Sequence, residues 1–135
     1  MISSREGSKQ KSISEMDLIA RIRKGIGPQD LDKLAKRLEL SIPDISELLP
    51  VSARTIQRYD SKKNLSKTVS EHVISLQCLL DETVNVFENK QKAVKWLKRP
   101  CMALNNEKPI DLCDTYQGMT IVRQELIRID HGVFA

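Results

Sequence analysis

Apolar residues recur along the middle of the chain at Val69, Val73, Leu76, Leu80, Val84 and Phe87, in steps of four, three, four, four and three. This is the spacing of one face of an α-helix about five turns long. It predicts a central strut to which both ends of the chain attach. Ile74, Cys78 and Leu79 lie beside that stripe and make it wider than one partner helix needs, so this flank offers a face for a second copy of the chain. His72 borders the same face, and with no acid or nucleophile placed near it in sequence it reads as a core or interface-edge residue.

Upstream of the strut the pattern is shorter and more broken. Met16, Leu18, Ile19 and Ile22 begin a helical repeat that Gly25 and Gly27 close, and Pro28 suits the first turn of the next helix. Over residues 29–40, Leu31, Leu34, Ala35 and Leu38 fall on one face and Lys33, Lys36 and Arg37 on the other. Residues 42–49 read as a short helix introduced by Ser41, with Pro43 in its first turn and Pro50 ending it. Ser52 then stands as the cap of a second short helix over 53–60. Downstream, Asn89 and Lys90 open a helix with Ala93, Val94, Trp96 and Leu97 inward, stopped by Pro100, and Trp96 is expected in the core. Pro109 begins a short helix over 110–115. A last helix over 117–129 carries Met119, Val122, Leu126 and Ile129 on one face, and Gly132 sits where a left-handed helix terminus is expected.

Composition agrees with an all-α chain, at 40% hydrophobic and 30% charged residues with only five glycines and five prolines in 135 residues. Such a length can bury a core without disulfides or metals. Residues 1–15 mix Ser, Lys, Arg, Glu and Gly without periodicity and read as a disordered arm. No apolar run is long enough for a signal peptide or a membrane span, which places the protein in the cytoplasm with no membrane contact. Cys78, Cys101 and Cys113 are three in number, widely spaced and without a CxxC pair, so they read as buried thiols rather than disulfides or zinc ligands. No phosphate loop, paired histidines or nucleophile elbow is present. Asp111 and Asp114 suit a helix's first turn better than an acid/base pair. The chain reads as a binding protein with no catalytic residue, cofactor or metal.

The net charge of +4 arises wholly within residues 1–65. Two short helices joined by a tight turn, the second opening Ser-x-Arg-Thr, form a helix-turn-helix signal. Ile45, Leu48, Val51 and Ile56 supply the apolar positions that motif packs together. Ser52, Arg54, Thr55, Gln57 and Arg58, with Lys62 and Lys63 beyond, are left to face outward, where the motif meets phosphates and groove edges. The same residues also suit the solvated face of a plain helical hairpin. Between Arg54 and Lys67 the only acid is Asp60, which tilts the balance toward operator DNA.

In the last forty-five residues the sequence Ala93-Val94-Lys95-Trp96-Leu97, Pro100, Leu104, Pro109-Ile110-Asp111-Leu112, Thr115, Gly118, Val122, Leu126, Arg128-Ile129 and His131-Gly132-Val133-Phe134-Ala135 resembles the toxin-binding domain of the Xre/MbcA/ParS antitoxins. The upstream helices resemble that family's helix-turn-helix half through Ser52, Arg54-Thr55 and Arg58. Asn105 and Asn106 replace a glycine common in the family, and asparagine keeps a left-handed turn accessible. Tyr59 stands where a second arginine is common, and His72 where an arginine often does.

The resemblance implies a type II toxin–antitoxin antitoxin that acts as a homodimer, binds a RES-domain toxin that degrades NAD, and represses its own operon. It implies a helix-turn-helix domain over 16–65 and a dimerising, toxin-binding helical domain over 66–135. It places the toxin contact at Arg128, His131, Gly132, Val133, Phe134 and Ala135, with Phe134 as the apolar anchor. The second reading is a DNA-binding transcriptional regulator whose C-terminal half only dimerises and which has no toxin partner.

Overall fold

A computed structural model describes residues 14–132 of the chain. Among the described residues seven α-helices follow one another: α1 (Glu15–Lys24), α2 (Pro28–Leu38), α3 (Ile42–Ser46), α4 (Ala53–Gln57), α5 (Lys67–Phe87), α6 (Lys90–Leu97) and α7 (Tyr116–Asp130). Between α6 and α7 lie two 3-10 helices, Met102–Leu104 and Pro109–Asp114. Among the described residues there is no strand, only an isolated bridge between Cys101 and Glu107. The arm expected over residues 1–15 lies outside the described residues as far as residue 13, and Ser14 already serves as the cap of α1.

The helices begin where the sequence supplies a cap. Ser14, Ser41, Ser52, Ser66, Asn89 and Thr115 each accept a hydrogen bond from the backbone N–H three residues on. These oxygens satisfy donors that the first turn leaves without a partner. The remaining helix, α2, follows Gly27 and begins with Pro28, whose missing N–H costs nothing there. Residues with positive φ end four of the helices: Gly25 (φ 88°), Glu39 (55°), Glu88 (54°) and Gly132 (70°), Glu39 and Glu88 in the left-handed helical conformation. Asn105 (58°) and Asn106 (62°) adopt the same conformation, so the left-handed turn survives without glycine.

Helix α5 is the strut, with α1, α2, α6 and α7 packed around it. Its start is fixed by a small polar knot. Buried Ser70 accepts from the Ile26 N–H at 3.0 Å and donates to the Leu65 carbonyl at 3.3 Å, while the Leu65 N–H donates to the Ile26 carbonyl at 2.7 Å. Gly25 is required beside this knot, because a β-carbon there would stand 2.4 Å from the Leu65 carbonyl oxygen. One apolar core runs through the molecule from Ile26 to Leu126, with Leu34, Ile45, Val73, Leu97, Cys113 and Val122 among its members.

Four expectations change. Ile74 and Leu79 are each only 2% exposed, because the chain's own helices cover that flank, so they present no face to a second copy. Trp96 is half-buried rather than central, and its ring lies 5.6 Å from that of Phe87 against the rim of the core. Of the three thiols only Cys113 is fully buried. The two short helices of the helix-turn-helix end early, at Ser46 and Gln57. The Ser46 hydroxyl donates to the Pro43 carbonyl at 2.6 Å, and the Asp60 carboxylate takes the Lys62 N–H at 2.9 Å, so side chains close turns where helix would otherwise continue.

His72 is a buried core residue. Its Nε2 lies 2.9 Å from the Cys113 carbonyl oxygen, and its ring stacks at 5.1 Å against Tyr116. This joins the strut to the segment that carries α7.

Candidate functional site

The first candidate surface is built on α3, the following turn and α4. Ile45, Leu48 and Ile56 are buried beneath it, with Val51 half-buried, which sets α4 on α3. Ser52, Arg54, Thr55, Gln57, Arg58, Lys62 and Lys63 are all exposed. They are not equivalent. The Ser52 hydroxyl accepts the Thr55 N–H at 3.1 Å and lies 3.0 Å from the Thr55 hydroxyl, so these two residues form the cap of α4 as well as part of its outer surface. Arg54 and Arg58 stand one turn apart beyond the cap, with Lys62 and Lys63 in the turn closed by Asp60. Among the described residues none of these four cations pairs with a carboxylate. Tyr59 turns inward against the core, and burial raises its phenol pKa.

The second candidate surface is the end of α7. This helix is held at three points. Thr115 caps it by accepting the Gly118 N–H at 2.9 Å. Gly118 lies so close to the preceding 3-10 helix that a β-carbon would stand 1.7 Å from the Leu112 carbonyl oxygen. The Arg123 guanidinium donates from Nε to both carboxylate oxygens of Glu82 at 2.9 and 3.1 Å, tying α7 to α5. The Cys113 thiol, beneath the start of α7, is pushed by burial up to about 12 and stays protonated at neutral pH. Burial, and then the nearby Glu71 carboxylate, raise Tyr116.

Beyond these anchors α7 runs outward. Arg128 is exposed and bonded to Glu125 at 3.0 Å. His131 and Gly132 are exposed, and the Gly132 N–H closes the helix on the Ile129 carbonyl at 3.0 Å. Val133, Phe134 and Ala135 lie outside the described residues. The His72–Cys113–Tyr116 junction and the Leu112–Gly118 contact, which fix the helix that carries this end, had no recognised role in the sequence. His72 and Cys113 lie 41 residues apart, so no local spacing joins them. A Thr-x-x-Gly step opening a helix was the one usable sign of the tight approach.

A helix-turn-helix unit followed by a helical unit ending in an outward-running capped helix defines a two-part, all-helical binding protein. Residues 17–77 match the antitoxin Xre-like helix-turn-helix domain, and residues 83–132 match the antitoxin Xre/MbcA/ParS C-terminal toxin-binding domain. The chain belongs to the Xre/MbcA/ParS antitoxin family. It is an antitoxin of a toxin–antitoxin system, with a C-terminal domain that binds toxin. Among its relatives, the Prs ADP-ribosylating antitoxin of Sphingobium sp. (strain YBL2) is 28% identical, over 90% of this chain and 83% of that one. Antitoxin Xre of Photorhabdus laumondii is 27% identical, over 90% and 84%. The fold is shared with a chain in the crystal structure of the M. tuberculosis MbcT–MbcA toxin–antitoxin complex, with a TM-score of 0.61 at 20% identity, covering 80% of this chain and 96% of that one. No helix among the described residues is long and apolar enough to cross a membrane.

Proposed function

We propose that the antitoxin neutralises a RES-domain, NAD-degrading toxin by occlusion, setting residues 128–135 in the toxin's active-site cleft and doing no chemistry itself. The observation that carries this reading is the mounting of α7. Capped at Thr115, wedged at Gly118 and tied at Arg123, it presents the exposed Arg128, His131 and Gly132 from a firm base. His131 and Gly132 belong to the exposed terminus, and Val133, Phe134 and Ala135 complete it in sequence, with Phe134 as the apolar anchor. Arg128 reaches the toxin after exchanging its bond to Glu125.

The chain acts in the cytoplasm as a homodimer. A pairing face within residues 66–135 is offered by Ile121 and Ile127, exposed on α7. That helix packs on α5. Residues 16–65 serve as the DNA-binding unit and 66–135 as the dimerising and toxin-binding unit. Arg54, Arg58, Lys62 and Lys63, without a carboxylate partner among the described residues, favour repression of its own operon through phosphate and major-groove contacts.

Co-expression with the toxin encoded beside it tests occlusion. A chain lacking residues 130–135 is expected not to rescue growth, and full rescue would end the tail-occlusion reading. Phe134→Asp places a charge where an apolar contact is required and is expected to weaken rescue as well. If the chain were a regulator alone, both variants would leave its only activity, salt-sensitive DNA binding, unchanged.

A further inference from the structure

The positive charge of the C-terminal half is not spread evenly. From residue 89 to residue 106 there are five Lys or Arg, namely Lys90, Lys92, Lys95, Lys98 and Arg99, and no acid at all. A helix face that merely meets solvent usually interleaves acids at the i+3 and i+4 positions, which lowers self-repulsion. Helix α6 does not. Elsewhere in this half Arg123 and Arg128 are both paired with carboxylates, whereas none of the α6 cations is so paired among the described residues.

Three of the five stand together. Gln91, Lys95, Lys98 and Arg99 share one side of α6, and with Val94, Pro100 and Glu39 they line an open groove of about 640 Å³. Lys98 is the rivet: its Nζ donates to the Glu39 carbonyl at 2.7 Å, at the left-handed residue that ends α2. Ser41, two residues beyond Glu39, caps α3, the first helix of the helix-turn-helix. The basic side of α6 is thereby fixed beside the entry to α3.

We propose that this side of α6, through Lys95 and Arg99 in particular, is a second contact to the phosphate backbone of the DNA held by the helix-turn-helix. The inference rests on the DNA-binding reading of α3 and α4. In that motif the first helix crosses the sugar–phosphate backbone, so a cationic surface fixed beside its N-terminal end meets the same strand. Neighbouring cations at helical spacing stand about 5–6 Å apart at their β-carbons and can follow a phosphate chain. Among the described residues Val94 and Pro100 are the groove's only apolar lining, and neither is the large apolar anchor on which protein interfaces depend. A nucleic acid therefore fits it better than an acidic protein segment.

The test uses the full chain and two fluorescent DNA duplexes, one spanning the segment upstream of its own gene and one of the same composition scrambled, titrated at several salt concentrations. Lys95→Gln/Arg99→Gln is expected to weaken binding to both duplexes by the same factor, on the order of tenfold, and to lower the salt slope by about two. Lys95→Arg/Arg99→Lys, which keeps both charges, is expected to restore both. Arg54→Gln/Arg58→Gln should instead reduce the preference for the upstream duplex. Unchanged affinity and slope in Lys95→Gln/Arg99→Gln, with binding lost in Arg54→Gln/Arg58→Gln, would overturn the α6 contact and leave the helix-turn-helix reading standing. Absence of salt-dependent binding by the unaltered chain would overturn both. Loss of toxin rescue by Lys95→Gln/Arg99→Gln with DNA binding intact would make the face a protein interface and reject the inference.

Discussion

Ser52 carries two roles that a substitution can separate. Its hydroxyl caps α4 through the Thr55 N–H, and it faces outward at the start of the helix that we propose meets DNA. Removing the oxygen with Ser52→Ala is expected to cost about 1 kcal/mol of stability in urea denaturation, the usual value of a helix cap. Ser52→Asp keeps an acceptor at the cap and adds a negative charge where phosphate approaches. It should hold its denaturation midpoint near that of the unaltered chain yet bind duplex DNA more weakly, and if the residue is only a cap, DNA affinity will follow stability in both variants. Cys113 gives a second prediction, in pH. Its thiol is raised by burial to about 12, from an ordinary value of 9.0. Below pH 9 the group is protonated whether the chain is folded or unfolded, and its contribution to stability is complete. Above pH 9 the unfolded chain loses that proton first, so stability falls as pH climbs toward the folded value. Between pH 8 and pH 10 the loss from this one group is on the order of 1 kcal/mol. Cys113→Ala, although less stable at pH 8 for want of a buried sulfur, is expected to lose that much less between the two pH values, with Tyr59 and Tyr116 contributing equally in both chains. An identical pH slope would show that the thiol does not control the alkaline limb.

At the level of helices, starts were legible, and so were the ends that glycine marks, at Gly25 and Gly132, while other ends were not. A start is a local event, a Ser, Thr or Asn accepting from an N–H three residues on, and Ser41, Ser52, Asn89 and Pro28 announce theirs in sequence. Ends at Glu39 and Glu88 carry no such sign, because each is a left-handed residue of a type that seldom takes that conformation, fixed by what packs around it. The apolar stripe of α5 was legible, but its flank was not. Periodicity records that Ile74 and Leu79 are covered without recording whether the cover is the same chain or another copy. Among the site residues, the sequence places Arg54, Arg58, Lys62 and Lys63 on the surface correctly. It could not show that Ser52 and Thr55 bond each other, or that His72 holds the segment leading to α7. The close approach of Gly118 to Leu112 yields a prediction here. Gly118→Ala would ordinarily strengthen a helix by about 1 kcal/mol. With the new methyl 1.7 Å from a backbone oxygen, however, α7 must move bodily, and overpacking of that kind costs about 1–3 kcal/mol. A lower denaturation midpoint together with reduced toxin rescue is expected. A stabilised variant would mean that the two helices are not wedged there.

Across the whole molecule, the two family-matched segments meet inside a helix. The helix-turn-helix match ends at residue 77 and the toxin-binding match begins at 83, and both positions fall within α5, Lys67–Phe87. No linker separates the two units, and the core that holds Leu34 and Ile45 on one side continues to Leu97 and Val122 on the other. A chain joined through a shared helix and a shared core should unfold in one step. Leu34, fully buried in α2, and Trp96, in α6 at the rim of the core, report from the two family-matched halves of the chain. Leu34→Ala removes core volume in the helix-turn-helix half alone and is expected to cost about 2–5 kcal/mol. If the core is one cooperative body, Trp96 fluorescence in the other half will shift to lower urea by the same amount as the helical circular dichroism, with the slopes of both transitions unchanged. If Trp96 keeps its original midpoint while part of the helical signal melts early, the halves fold independently. A toxin bound at α7, as proposed, would then have no route through the core to the helix-turn-helix. Coincident transitions supply that route, because α7 is held by the helix against which the helix-turn-helix half is also packed.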